Sequence, residues 1–171
     1  MPNWCHNKLT ITGSPEEVEE LIEFVAGEDK EQLIDFQNIS PMPEALEETD
    51  ADDTSGEDNW YLWRIRHWGT KANAHFEAPA IVLAYRSEER PEGLTSVFVP
   101  GEALFVFLTA WSPCAEVITT LAKRFCALTL QLVWAEVGHG SAGRVTWQDG
   151  RIVEDIGLGI DEALDSTERW F

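Results

Sequence analysis

Basic residues are scarce in this chain: 12 Lys and Arg stand against 31 Asp and Glu, a net charge of −19 at pH 7. A surface this acidic repels phosphate at long range, which argues against direct binding of nucleic acid or an anionic membrane. Cysteine is scarce too. Cys5, Cys114 and Cys126 are odd in number and widely spaced, with no CxxC pair, so neither a disulfide framework nor a zinc knuckle is expected. No apolar run approaches the roughly 20 residues that span a bilayer. The first residues, Met1 to His6, lack the basic region and apolar core of a secretion signal. A soluble cytoplasmic protein is the expectation. The four histidines, His6, His67, His75 and His139, show no HExxH or other close ligand spacing. No metal and no cofactor are predicted.

What is present is the pattern of a folded domain. Hydrophobic residues make up 44% of 171 residues, enough for one core. Residues 5–13 alternate as a half-buried strand does. Ser14, Pro15 and Glu17 mark a helix start with a capping box, and Val18, Leu21, Ile22 and Val25 form its apolar face. A short strand is predicted at 32–39. Trp60, Trp63, His67 and Trp68 fall at helical spacing, with Gly69 as the stop. Strands are predicted at 79–86, 94–99 and 103–110, the last nearly continuous in apolar residues and so expected to be central. Ser112-Pro113 then starts a second helix, to about 125, with Ile118, Leu121, Ala122 and Phe125 on one face. A strand at 128–137, a hairpin through 144–156 and a short acidic helix at 160–168 complete the reading.

Two strand–SerPro–helix–strand units predict an α+β fold: a ferredoxin-like βαββαβ antiparallel sheet with both helices on one face. Residues 40–102 read as an insertion within a single domain spanning 1–171. It carries an acidic loop, the Trp-rich helix and an extra hairpin. The stretches "MPNWCHNKLTITG" at the start, "WGTK" at 68–71, "TAWSP" at 109–113 and "WAEVGHGSAG" at 134–143 resemble the YubB-like family of phage and conjugative-plasmid proteins. The resemblance runs through the whole chain in order. It departs at His6, Ala72 and Cys114, where that family tends to an acidic residue, an aromatic and a second proline. It implies a ferredoxin-like domain and a mobile-element origin, and supplies no reaction.

Chemistry is hard to find along the chain. Cys114 opens a helix, where the dipole favours a thiolate, but no base accompanies it. "GHGSAG" at 138–143 offers backbone amides to an anion, yet it lies between two strands and reads better as a hairpin turn. Two candidate sites remain. One is a set of carboxylates: Glu44, Glu47, Glu48, Asp50, Asp52, Asp53, Glu57 and Asp58 in one stretch without a Lys or Arg, with Glu16, Glu19, Glu20 and Glu23 on the first helix. Rows of carboxylates imitate DNA phosphates, so the expected partner is a basic host protein, engaged by a DNA mimic acting against host defence. The bland alternative is that acidity only confers solubility. The other site is the basic–aromatic group Arg64, Trp68, Lys71 and Trp111, suited to a small ligand or nucleotide. An enzyme ranks last of the three classes.

Overall fold

The alternation at the start of the chain becomes a strand, β1 (Trp4–Thr12), with Cys5, Asn7, Leu9 and Ile11 buried on one face. The computed structural model describes residues 3–29, 32–51, 59–76 and 101–167. Four more strands join β1: β2 (Glu102–Ala110), β3 (Thr129–Glu136), β4 (Ser141–Gln148) and β5 (Arg151–Gly157). Their order is β2-β1-β3-β4-β5, and every neighbouring pair is antiparallel. Register carries the burial across the sheet. Leu9 faces Phe105 on one side and Leu132 on the other; Asn7 faces Phe107 and Trp134. Asp149 and Gly150 join β4 to β5 with φ of 50° and 69°. Two left-handed residues give the hairpin turn its twist, and Asp-Gly tolerates them best.

Both expected helices lie on that face. In α1 (Pro15–Val25), the Ser14 hydroxyl accepts from the Glu17 N–H at 3.3 Å and donates to the Glu17 carboxylate at 2.8 Å. Val18, Leu21 and Val25 enter the core. Helix α4 (Ala115–Arg124) adds Val117, Ile118, Leu121 and Ala122. Arg124 places its guanidinium 4.1 Å from the centre of the Phe24 ring, so a cation at the end of α4 braces α1. This α+β arrangement, an antiparallel sheet carrying helices, is the ferredoxin-like class. The other sheet face carries a helix as well. In α5 (Ile160–Thr167), Ala163 packs on Val133, Ala135 and Ala142.

One expectation is corrected. Residues 32–39 hold no strand; they turn into a one-turn helix, α2 (Phe36–Ile39). The Asp35 carboxylate accepts from the Gln37 N–H at 2.9 Å, and Asn73 Oδ1 accepts from the Phe36 N–H at 2.9 Å. Side chains thus satisfy the amides that a ladder would have used. Residues 103–110 are buried as expected, from Phe105 through Ala110, and β2 is the last strand of the sheet among the described residues. Among the described residues its other side makes only the His75–Leu108 bridge. Apolar residues on both faces report that both faces are covered; they do not encode how many strands flank β2. The strands expected at 79–86 and 94–99 lie outside the described residues.

Candidate functional site

The Trp stripe predicted at 60–68 forms helix α3 (Trp60–Trp68), capped by the Asn59 side chain, which accepts from the Leu62 N–H at 2.8 Å. Gly69 ends it with φ 82°. Trp68 is 1% exposed, and its indole N–H donates to the Ser40 carbonyl at 2.8 Å. It meets Phe36 and Trp63 edge-on, at 5.7 and 6.0 Å between ring centres. It is therefore a core residue that offers no face to a ligand. Arg64 lies over two rings, with its guanidinium carbon 5.2 Å from Trp60 and 4.9 Å from Trp68. Its Nη1 donates to the Lys71 carbonyl at 3.3 Å. Burial pulls the Arg64 pKa down, and nearby Glu47 opposes that shift.

Two loops lock together beside this helix. Ser112, expected to cap the following helix, instead donates from its hydroxyl to the Gly69 carbonyl at 2.6 Å. The first residue before α4 is Cys114, which caps nothing with its side chain. Thr70 donates to the Ala110 carbonyl at 2.9 Å, and Thr109 to the Ser112 carbonyl at 2.6 Å. The Thr109 hydroxyl in turn accepts from Asn7 Nδ2 at 2.8 Å. The Trp-Gly-Thr and Thr-Ala-Trp-Ser-Pro motifs thus join α3 to the β2–α4 connection. Trp111 is the exception to this packing. Its residue is 50% exposed, its φ is 73°, and Lys71 Nζ sits 5.1 Å from its ring centre.

The structure brings together Arg64, Trp68, Lys71 and Trp111, but it divides them between core and surface. The carboxylates are placed differently. Glu16, Glu19, Glu20 and Glu23 are all exposed on α1. Glu44 opens a short 3-10 turn, Glu44–Leu46, and with Glu47, Glu48 and Asp50 it faces solvent. This part of the acidic stretch is anchored. The Thr49 hydroxyl donates to the Leu46 carbonyl at 2.6 Å and accepts from the Trp60 N–H at 2.9 Å. Asp52, Asp53, Glu57 and Asp58 lie outside the described residues.

The remaining candidates resolve into structure. Cys114 is fully buried, and burial pushes its thiol pKa well above the ordinary value. Cys5, also buried, is pushed up to about 12. Neither offers a thiolate nucleophile. The loop after β3 does hold an anion, but an internal one. Glu136, 2% exposed, accepts from the backbone N–H groups of Gly138 and His139 at 2.9 and 2.8 Å, and its Oε2 lies 2.6 Å from His139 Nδ1. Burial raises its pKa, the His139 and Gly138 hydrogen bonds outweigh that, and the net shift is downward. Sequence reading missed this carboxylate. The signal was a Glu two and three residues before a Gly and a His in a turn, where a carboxylate can close on the amides that follow it.

Residues 87–169 match a protein family described as "Ferredoxin-like domain in Api92-like protein". The fold is similar to the crystal structure of protein api92 from Yersinia pseudotuberculosis, with a TM-score of 0.59 and 10% identity over 93% of this chain and 99% of that one. At that identity the likeness is one of fold. No curated protein matches the sequence. Among the described residues, no helix is long and apolar enough to cross a membrane, and no three His, Cys, Asp or Glu side chains group as metal ligands would.

Proposed function

We propose that this protein is a binding module for a basic protein surface, and that its exposed carboxylates do the binding. One observation carries the reading: three cations rest on aromatic rings while two runs of carboxylates are exposed to solvent, although Arg144 pairs with Glu154 at 2.8 Å. Arg64 lies on Trp60 and Trp68, Lys71 on Trp111, and Arg124 on Phe24. Glu16, Glu19, Glu20 and Glu23 of α1 and Glu44, Glu47, Glu48 and Asp50 of the anchored stretch are all exposed. Asp52, Asp53, Glu57 and Asp58 extend that stretch in sequence. Carboxylates on a rigid helix and an anchored turn hold a fixed pattern of charge, which steers a basic partner and fixes its register.

The resemblance to phage and plasmid proteins gives this surface a use. A host defence protein that grips DNA has a basic channel, and carboxylates can fill it in place of phosphates. Capture from host lysate followed by competition tests the reading. The captured protein should be basic, should be released by salt, and should be displaced by duplex DNA. Capture that is indifferent to salt and to DNA would overturn it.

A further inference from the structure

Trp111 is held in a backbone conformation that bulky residues avoid, and the result is an indole in solvent. Its φ of 73° lies in the left-handed region, where a side chain crowds its own carbonyl. The neighbours enforce it. The Trp111 N–H donates to the Asn3 carbonyl at 2.9 Å, Thr109 donates to the Ser112 carbonyl, and Ser112 is tied to Gly69. A glycine would satisfy the same hydrogen bonds without strain. Strain that persists because its surroundings over-determine it points to a use for the side chain. Trp111 is also unusual in its exposure. The buried Trp63, Trp68 and Trp147 build the core, whereas Trp111 keeps half its surface open, with the Lys71 ammonium over its ring.

The geometry points to Trp111 and Lys71 as a platform for a free mononucleotide: the base takes the place of the Lys71 ammonium over the indole, and the displaced ammonium meets the phosphate. An indole face takes any base, and the stack is sequence-tolerant. One ring and one cation suit one base and one phosphate. A longer strand would need further cations along its backbone, and the net charge of −19 repels a polyanion. The platform shares the Lys71–Trp111 contact with the reading above but uses none of its carboxylates, so either can fail without the other.

AMP is the probe, with adenosine and an oligodeoxyadenylate beside it, followed by the NMR signals of the indole N–H groups. AMP should move the Trp111 signal, assigned by its loss in Trp111→Gly, and adenosine should bind about tenfold more weakly. Lys71→Met should reduce AMP to the affinity of adenosine. Trp111→Gly should abolish binding and keep or raise the melting temperature, because it removes strain. Three results would overturn the proposal: indole signals that AMP leaves in place, an oligodeoxyadenylate that binds more tightly than AMP, or a Trp111→Gly variant that melts lower. The last would make Trp111 a packing residue.

Discussion

At the residue scale, the polar groups sequence reading passed over are held most firmly. Glu136 shows how a buried carboxylate stays ionised. Burial alone would raise its pKa, but two backbone N–H groups and the His139 ring favour the charged form more. The sign of the linkage follows. A carboxyl with a depressed folded pKa adds stability that is fully present above its unfolded value, about 4.3, and lost as pH falls through the folded value. Urea midpoints measured from pH 6 downward should therefore fall below about pH 4.3, and Glu136→Gln should flatten that fall. An unchanged acid slope in the variant would assign the effect to other carboxyls. Trp68 makes the opposite case, a residue whose motif suggested a ligand and whose burial shows a core. Trp68→Ala should lower stability by about 3–5 kcal/mol in denaturant titration, as large aromatic deletions in a core do.

At the element scale, legibility followed how local the deciding contact was. Helix α1 was readable because Ser14, Pro15 and Glu17 form its start within four residues, and its apolar face repeats at 3.6. The β4–β5 hairpin was readable because Asp149-Gly150 tolerates two positive φ values. Helix α2 was not. Its first amide is satisfied by Asn73, 37 residues away, and only its Asp35 cap is local. The misreading of 32–39 as a strand reflects that distance. Asp35→Ala should cost about 0.5–2 kcal/mol, the range for losing an N-cap, and more than a surface Asp elsewhere. The junction of α3 with α4 shows the same dependence on remote partners. Sequence marks Gly69 as a helix stop, and its φ of 82° agrees. It does not show that an added Cβ would lie 2.9 Å from the Pro113 carbonyl oxygen and against the Glu116 carboxylate. Gly69→Ala should therefore destabilise by more than the roughly 1–2 kcal/mol of left-handed strain alone, measured by denaturant melts. A smaller loss would mean that the loop pair can separate at little cost.

At the scale of the whole molecule, charge is the property sequence states most loudly and resolves least. Composition gives −19, and the exposure of α1 and the 44–50 stretch shows that these acids stand in solvent. The candidate site was legible as a list of carboxylates but not as a surface. Its counter-charges depend on where each cation packs, and cation–aromatic contacts across loops leave no local pattern. Arg64 is 17 residues from Glu47, yet it takes its place from the tryptophans of its own helix. Self-repulsion among so many like charges destabilises the compact state, and salt screens it: the Debye length is about 10 Å at 0.1 M and about 3 Å at 1 M. The melting temperature should therefore rise with salt. Neutralising Glu44, Glu47, Glu48 and Asp50 with Glu16, Glu19 and Glu20 to Gln or Asn should raise it at low salt and weaken that salt response. Acidity kept for solubility predicts this stability gain with no loss of partner capture. A binding surface predicts the gain together with a slower association rate for the captured basic partner, the loss shrinking as salt rises. Thermal melts at two salt concentrations and stopped-flow association on the same variant separate the two. A variant that is more stable and associates at the parent rate would assign the carboxylates to solubility.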